Sequence, residues 1–358
     1  MAMRSPLLAT LASVFLASIA GAQEINLTDM EGRAVTLEKP AERIATFPMP
    51  MASVVVSMDG GIDRLVGMNE QSYAAHFEGL LGTIFPEAAD IPFDFVGNGF
   101  VPNVESLVTL SPDLVVQWGG RGNDIVDPIT NAGLSTLLVL SGTEDNARGS
   151  QSLIAEAIGK PERFETMLHW RNEVVAAVEA KAAAIAKDDK PSVLYMLRSL
   201  SEITATGREN HYNTWYIEMA GGISSSAELN GTVPISAEQI AVWNPDVILL
   251  NSFEPELSVD WVYDHPILSQ LAAAQEHRVY KMPIGGYRWE PASQESPLTW
   301  MWLANLLHPE VYDFDLRAEM RSAYEFLYNY EVSDAEIDSI LRMDMQGDAA
   351  NYAQFRAQ

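Results

Sequence analysis

Two stretches of this sequence carry the same pattern and decide the fold: VESLVTLSPDLVV at residues 104–116 and AEQIAVWNPDVIL at residues 237–249. In each stretch, the glutamate at the second position is followed seven and eight residues later by the pair Pro-Asp. A second match, MDGGI at 58–62 and MAGGI at 219–223, occurs in the same order along the chain. Because the members of each pair lie on either side of a long helical segment, they predict two similar lobes.

Short β-branched runs, each followed by a turn and a helical pattern, surround the first of these stretches. Strands are predicted within residues 42–47, 63–69, 113–117 and 135–140, and INLTDMEGRAVTL predicts a hairpin around Glu31-Gly32. Strands that alternate with helices indicate a parallel sheet. The predicted fold class is therefore α/β, with two lobes that are each a mainly parallel sheet with flanking helices, joined by one long rigid helix.

The middle of the chain differs from both halves. After the Lys160-Pro161 step, a run rich in Ala, Glu and Lys continues to Lys187 without a break, and the α/β pattern restarts after Pro191. This organisation predicts four segments: a signal peptide at 1–22, an N-terminal α/β lobe at 23–158, an interlobe helix at 159–189, and a C-terminal α/β lobe with terminal helices at 190–358.

Composition excludes several functions. The 358 residues include 22 Lys and Arg but 49 Asp and Glu, a formal net charge of −27. Phosphate backbones would repel so acidic a chain, so no nucleic-acid partner is expected. The absence of cysteine removes disulfides, thiolate metal sites and cysteine nucleophiles.

The first residues have the order of a secretory signal. A short basic start precedes the apolar run LLATLASVFLASIA, and Ala20-Gly21-Ala22 offers a small-x-small cleavage pattern. The apolar run is shorter than the roughly 20 residues that a membrane-spanning helix needs. The mature protein is therefore expected in the periplasm and not inserted in a membrane.

Familiar catalytic motifs are missing from the sequence. It contains no G-x-S-x-G, no P-loop and no H-E-x-x-H motif, and its six histidines are scattered. No catalytic residues and no metal ligands are predicted, and the protein is not expected to be an enzyme. A secreted enzyme with an acidic cleft is the alternative from another functional class.

Ligand-binding candidates come from the loops after the predicted strands, because open α/β sheets bind ligands at the carboxyl ends of their strands. Aromatic rings stack on bulky ligands, and guanidinium groups match carboxylate or catecholate oxygens. The candidates are Met49, Met51, Trp118, Arg121, Arg198, Asn210, His211, Tyr212, Trp215, Phe253, Tyr287, Arg288 and Trp289. Packing in the core is the alternative for each aromatic and methionine side chain.

The signal, the opening INLTDMEGRAVTLEKPAERIATF, the DRLVGMN strand, the two repeated stretches and the long helix resemble class III periplasmic solute-binding proteins. These are the receptors of ABC importers for siderophore-bound iron, vitamin B12 and haem. The resemblance extends from about Glu24 to Pro309. It implies two α/β lobes joined by a rigid helix, with the ligand in the cleft between them.

The resemblance also implies partners. One exposed glutamate in each lobe, Glu105 and Glu238, is expected to dock onto arginines of the dimeric permease of an ABC importer. The alternative is that both residues only begin solvent-facing helices. The receptor itself is expected to be a monomer that delivers a small-molecule metal chelate.

The cargo is the least determined part of the prediction. A ferric siderophore is favoured, bound by arginines against aromatic walls, with no covalently bound cofactor. Cobalamin, haem, with Tyr212 or His211 as axial ligand, and an oxyanion such as molybdate are the alternatives, and a sensor subunit is a further one. The Met-rich segment 48–51 and the segment 287–300 depart from the family pattern and leave the cargo open.

Overall fold

The computed structural model describes residues 24–208 and 212–357. The predicted signal peptide, Asn210 and His211 lie outside these residues. An antiparallel hairpin opens the described chain, with strands β1 (Ile25–Thr28) and β2 (Ala34–Leu37) paired from Ile25 with Leu37 to Thr28 with Ala34. The predicted hairpin is confirmed.

The first sheet forms the N-terminal lobe and is parallel throughout. Its strands follow the order β4-β3-β5-β6, and their residues are almost all buried because helices cover both faces. The strands are β3 (Ile44–Thr46), β4 (Leu65–Gly67), β5 (Leu114–Trp118) and β6 (Thr136–Val139). The helices are α1 (Met51–Asp59), α2 (Glu70–Glu78), α3 (Leu81–Ile84), α4 (Val104–Thr109), α5 (Asp127–Asn131) and α6 (Glu144–Ala157).

The second sheet forms the C-terminal lobe and is mixed. It has the order β10-β8-β7-β11-β12 with β9 beside β7, and β7, β11 and β12 run parallel whereas β8 and β10 are antiparallel to their neighbours. The strands are β7 (Ser192–Arg198), β8 (Thr204–Thr206), β9 (Ile223–Ser224), β10 (Thr232–Pro234), β11 (Val247–Leu250) and β12 (Val279–Lys281).

One long helix, α7 (Pro161–Ala182), connects the lobes. Its 22 residues are fewer than the stretch 159–189 assigned to the interlobe segment, because the chain leaves the helix at Ala183 and forms a short 3₁₀ turn at Lys187–Asp189. At about 1.5 Å per residue the helix is about 33 Å long. It packs against α6 of the N-terminal lobe and against two helices of the C-terminal lobe.

The remaining helices complete the C-terminal lobe. They are α8 (Tyr212–Met219), α9 (Ala237–Trp243), α10 (Asp260–Tyr263), α11 (Ala272–Gln275), α12 (Ser296–Leu307), α13 (Leu316–Tyr328), α14 (Asp334–Ile340) and α15 (Met343–Gln346). All of α12 is buried, since it lies under α7 and α13. Ser333 and Glu336 match the Ser-x-x-Glu signature of a capping box in the sequence, and they form that box at the start of α14. Of the described helices, none combines the length and apolar character needed to cross a membrane.

The repeated stretches occupy equivalent places in the two lobes. Each forms a short helix and then a central parallel strand: α4 leads to β5, and α9 leads to β11. The residue before each helix caps it, since Asn103 accepts a hydrogen bond from the Ser106 amide and the Ser236 hydroxyl accepts one from the Gln239 amide. The internal repeat of the sequence is therefore a structural repeat.

The Pro-Asp pair has the same function in both lobes. The Asp113 carboxylate accepts hydrogen bonds from the backbone amides of Glu42 and Arg43, both at 2.9 Å, just before the chain enters β3. The Asp246 carboxylate accepts hydrogen bonds from the backbone amide and the hydroxyl of Ser192, both at 2.7 Å, where the chain enters β7. Each aspartate thus joins the start of one central strand to the start of its parallel neighbour.

Candidate functional site

A cavity of about 220 Å³ lies between the lobes, at the carboxyl ends of β5, β6 and β11. Residues of both lobes line it: Met49, Pro50, Met51, Trp118, Arg121, Leu140, Ser141, Gly142, Thr143, Ala147, Ser150, Tyr212, Asn213, Phe253, Tyr287, Pro291 and Ala292. The structure therefore brings together seven of the predicted ligand-binding residues. A larger depression of about 630 Å³ is lined by the C-terminal lobe alone and shares no lining residue with this cavity.

The N-terminal lobe contributes an arginine held against two rings. The guanidinium carbon of Arg121 lies 4.7 Å from the ring centre of Phe100 and 4.9 Å from that of Trp118. Desolvation lowers the pKa of Arg121, but the group stays fully protonated at neutral pH. Arg121 forms no ion pair with any of the described residues, so its charge is available to a ligand.

The C-terminal lobe reverses this arrangement, with one ring between two arginines. The Phe253 ring centre lies 4.7 Å from the guanidinium carbon of Arg198 and 5.0 Å from that of Arg288. Arg198 donates to the carbonyl of Leu197 and, within the described chain, has no carboxylate partner. Cation–π contacts of this kind hold a guanidinium in place without neutralising its charge.

Arg288 and Trp289 are placed differently from the sequence prediction of exposed ligand-binding groups. Arg288 is 1% exposed, bonds to the carbonyl of Ser252 and forms a 2.6 Å ion pair with Glu78 of α2. Trp289 is fully buried and donates its indole N–H to Glu295 at 2.9 Å. Neither side chain lines the cavity. Arg288 instead joins the two lobes beside it, and Trp289 packs in the core.

The predicted tyrosines form one wall of the cavity. The hydroxyl of Tyr212 accepts the indole N–H of Trp300 at 2.8 Å, and burial raises the pKa of Tyr212. Burial also raises the pKa of Tyr287, so both hydroxyls stay protonated. Trp215 stacks on Tyr212 at 5.6 Å between ring centres but faces a neighbouring chamber.

The methionine segment reaches the cavity from the start of α1. Met49 and Met51 both line it, and Met51 is 4% exposed. Thioether side chains are polarizable and adapt to irregular ligand surfaces. The α1 segment therefore gives the N-terminal side of the cavity an apolar surface beside Arg121.

Sequence reasoning missed the loop after β6. Leu140, Ser141, Gly142 and Thr143 line the cavity, and this loop follows a predicted strand like the others. It was overlooked because it contains neither an arginine nor an aromatic residue. Within the described residues, no group of three or more His, Asp, Glu or Cys side chains is arranged to hold a metal ion.

The two predicted docking glutamates occupy matching positions. Glu105 of α4 and Glu238 of α9 are both exposed in the first turn of their helices, one in each lobe. A hydrogen bond from its own backbone amide, and then one from the Ser236 hydroxyl, lower the pKa of Glu238. On the same two helices, Val108 is 46% and Val242 is 80% exposed.

Two α/β lobes, a connecting helix and a cavity between the facing sheet edges define a solute-binding receptor. The chain belongs to the periplasmic binding protein family, whose model matches residues 95–284, more than half of the chain. This family comprises the class III solute-binding proteins of ABC importers, and the predicted family and fold class are confirmed.

Relatives of this chain share its architecture but differ in cargo. A periplasmic solute-binding protein from Veillonella parvula is 28% identical and superposes with a TM-score of 0.82 over 91% of this chain and 99% of that one. The ABC transporter substrate-binding lipoprotein YvrC of Bacillus subtilis is 23% identical over 72% of this chain and 77% of its own. The molybdate-binding protein MolA of Haemophilus influenzae is 22% identical over 84% of this chain and 90% of its own. Other relatives are named for Fe(3+) dicitrate, in Escherichia coli, and for cobalamin, in Halobacterium salinarum.

Proposed function

We propose that this receptor binds a compact, anionic metal chelate, a ferric siderophore above all, in the interlobe cavity and delivers it to an ABC permease. The observation that carries the proposal is Arg121, which faces the cavity and has no carboxylate partner among the described residues. Arg43 and Arg163 also lack a carboxylate but donate to backbone carbonyls, whereas Arg121 donates to no acceptor among the described residues, so its guanidinium is free to bind an anionic ligand.

The apolar residues that line the cavity favour a metal chelate over a bare oxyanion as the cargo. Trp118, Phe253, Tyr287 and the methionines present apolar surface on both sides of the cavity. A small oxyanion such as molybdate requires many hydrogen-bond donors and gains nothing from such walls. A metal wrapped in an organic chelator matches apolar contact with its ligand shell and arginine contact with its anionic oxygens.

The size of the cavity and the state of Tyr212 argue against the large macrocycles. Its 220 Å³ is below the roughly 300–1,000 Å³ of typical small-molecule sites, which disfavours cobalamin, haem and equally the large hexadentate siderophores, and favours a small carboxylate chelate of iron. A tyrosine ligand to haem iron must lose its proton, and the raised pKa of Tyr212 opposes this. The relatives named for Fe(3+) dicitrate are consistent with a compact ferric cargo.

The experiment is a thermal-shift panel on the protein starting at Gln23. The panel contains ferric citrate, a ferric hydroxamate, a ferric catecholate, haem, cobalamin and molybdate. A ligand at a hundredfold its Kd adds about 2.7 kcal/mol of stability to the state that binds it. We expect stabilisation by an anionic ferric chelate. Stabilisation by cobalamin, haem or molybdate alone would overturn the proposed cargo but not the receptor role.

Docking to the permease is proposed for Glu105 and Glu238. Both are exposed, lie on equivalent helices and thus suit a two-fold symmetric permease dimer. Changing both glutamates to arginine should abolish uptake of the cargo in cells while its Kd stays unchanged. Unchanged uptake would contradict the docking role. Glu165→Arg on α7, also exposed, is the matched control.

We further propose that the receptor acts in the periplasm as a monomer after removal of residues 1–22, and that it releases its cargo chemically unchanged. Cell fractionation and N-terminal sequencing of the exported protein test the location and the cleavage site. Mass spectrometry of the cargo after release distinguishes a receptor from a secreted enzyme, since only an enzyme would alter the chelator.

A further inference from the structure

A second chamber of about 510 Å³ adjoins the cargo cavity and has a different chemical character. It is lined by Gly142, Thr143, Glu144, Asp145, Arg148, Arg208, Tyr212, Trp215 and Glu218. Gly142, Thr143 and Tyr212 line both spaces, so the chamber continues the cavity beyond the Tyr212 ring. Like the cavity, it lies between the lobes, with the start of α6 on one side and α8 on the other.

The positive charges of this chamber are already paired. Arg148 bonds to Glu144 at 2.8 Å and to Asn172 at 2.6 Å. Arg208 pairs with Glu218 at 2.6 Å and with Glu228 at 3.5 Å. Both arginines therefore have a carboxylate partner, although Arg148 shares Glu144 with the buried Arg171.

One acidic group of the chamber is not paired. Glu144 is held by the buried Arg171 at 2.6 Å, and Glu218 is held by Arg208. Asp145 is exposed and forms no ion pair within residues 24–208 and 212–357. Among the described residues, these four carboxylates, with Glu228 included, exceed the three guanidinium groups of Arg148, Arg171 and Arg208 by one, so the chamber is net negative, whereas the cavity carries the positive charge of Arg121.

An aromatic surface lines the same chamber as that carboxylate. Trp215 is half-buried, stacks on Tyr212 and meets Trp300 edge-on with 5.5 Å between ring centres. These contacts fix the indole while it still lines the chamber. A tryptophan ring attracts an ammonium group through cation–π interaction, and a nearby carboxylate adds to that attraction.

We propose that the chamber is a second subsite, which binds a cationic arm of the cargo over Trp215 and beside Asp145 while the anionic chelate core occupies the cavity at Arg121. The cargo is then a metal chelate with an ammonium-bearing arm. The inference rests on the proposed function and extends it, because it assigns the two charges of the cargo to opposite ends of one continuous space.

A matched pair of chelates tests this subsite. The ferric complexes of citric acid mono(3-aminopropyl)amide and of its mono-butylamide have the same chelating groups, and their arms differ only in a terminal ammonium or methyl group. Isothermal titration calorimetry should show about tenfold tighter binding of the aminopropyl chelate. Asp145→Asn should reduce that ratio severalfold and leave binding of the butyl chelate nearly unchanged, and Trp215→Leu should reduce the ratio as well.

The outcomes separate this inference from the proposed function. Equal binding of both chelates, or a ratio that survives in Asp145→Asn, would overturn the second subsite and leave the receptor for anionic chelates intact. Binding of neither chelate would overturn both. Glu165→Gln removes one exposed acidic group on α7 that lines neither space, and it should preserve the ratio. Thermal unfolding of each variant checks that Trp215→Leu is folded, and Trp215→Phe should restore part of the ratio.

Discussion

The two lobes share a central pair of parallel strands with the capped helix before one of them, and they differ in the outer strands and in the loops that face the cleft. In the N-terminal lobe, β3 and β5 pair in parallel within an all-parallel sheet; in the C-terminal lobe, β7 and β11 pair in the same way within a mixed sheet. The shared part contains the capped helix and the aspartate that joins the two strand starts. The repeat therefore preserves what positions the strands and not what binds the cargo.

The loops that follow the equivalent strands show this divergence. After β5, the chain presents an arginine against two rings; after β11, it presents the Phe253 ring between two arginines. Both lobes thus bring an arginine–aromatic contact to the cleft, but the charge available to a ligand differs. Arg121 is unpaired among the described residues, whereas Arg288 is joined to Glu78 of the other lobe.

The largest predicted loss of stability concerns a residue that joins the two lobes, and not one that the lobes have in common. Arg171 of α7 is fully buried, holds Glu144 of the N-terminal lobe at 2.6 and 3.0 Å and donates to the Ser293 carbonyl of the C-terminal lobe at 2.7 Å. Arg171→Met leaves a buried carboxylate without its main partner. Urea unfolding should show a loss of about 3–5 kcal/mol in the free energy of unfolding.

A matched change tests the cause of that loss. Arg148 contacts the same carboxylate at 2.8 Å but is partly exposed. Arg148→Met should lower the free energy of unfolding by no more than about 1 kcal/mol. Equal losses in the two variants would mean that burial of Arg171 is not what makes the contact between the lobes strong.

The second prediction concerns how the free energy of unfolding depends on pH. One buried titratable group in each lobe contributes to this dependence, and the two contributions have opposite signs. His76 of α2 is fully buried, and burial lowers its pKa to about 4. Between about pH 4 and 6.5 the unfolded chain binds a proton at His76, whereas the folded protein does not. The contribution of His76 to the free energy of unfolding therefore rises as the pH rises through this range.

In the C-terminal lobe, burial raises the pKa of Glu295 to about 7, although Tyr328, Trp289 and the Gly286 amide donate to it. The folded protein keeps this proton where the unfolded chain has lost it. Its contribution to stability therefore falls as the pH rises from about 4.5 to 7. Each contribution amounts to about 3 kcal/mol, so the two nearly cancel between pH 4.5 and 6.5.

Two substitutions should reveal these opposed slopes. In His76→Met, urea unfolding should show stability falling between pH 4.5 and 6.5, because the raised pKa of Glu295 is then no longer balanced by the lowered pKa of His76. In Glu295→Gln it should rise over the same range, and the unaltered protein should change little. Slopes of the same sign in both variants would contradict the assignment.

The affinity for the cargo should depend more on one of the two arginine–aromatic contacts than on the other. Arg121→Gln should weaken binding of an anionic ferric chelate about 10- to 100-fold, because the only unpaired guanidinium known among the described cavity residues is lost. Arg198→Gln should weaken it less, since Arg198 reaches the cavity only through Phe253. Titration calorimetry measures both. A larger loss for Arg198 would place the cargo anion in the C-terminal lobe.

Apart from the matched change at Arg148, the smallest predicted loss of stability concerns the two aspartates of the repeated stretches. Asp113→Ala and Asp246→Ala each remove a carboxylate that accepts two hydrogen bonds at the start of a central strand. Each should lower the free energy of unfolding by about 1–2 kcal/mol, because both groups are partly exposed. Losses that differ by more than about twofold would show that the two positions are not energetically equivalent.

Local patterns predicted the parts of the fold that depend on neighbours in sequence. The hairpin around Gly32, the first-lobe strands and the cap at Ser333 all follow from alternation, β-branched runs or capping residues within a few positions. The carboxyl-end rule placed Trp118, Arg121, Tyr212 and Phe253 beside one cavity because parallel strands end at the same edge. The repeat further predicted that Glu105 and Glu238 begin equivalent helices.

Pairings over long sequence distances were not predictable in this way. Arg288 follows a predicted strand like the other ligand-binding candidates, yet it is buried against Glu78, 210 residues earlier. Glu295 and His76 gave no signal, since burial of a titratable group depends on which segments pack over it. The charge of the second chamber likewise depends on which carboxylate each arginine reaches.

The sequence by itself determined the two-lobed α/β architecture, the connecting helix and the strand ends that hold the candidate site, because these follow from periodicity and from a repeat within the chain. Only the tertiary structure decided which arginines are free to meet a ligand and which are bound to carboxylates of the other lobe. Ion pairing depends on distances of a few ångströms between groups that lie far apart in sequence.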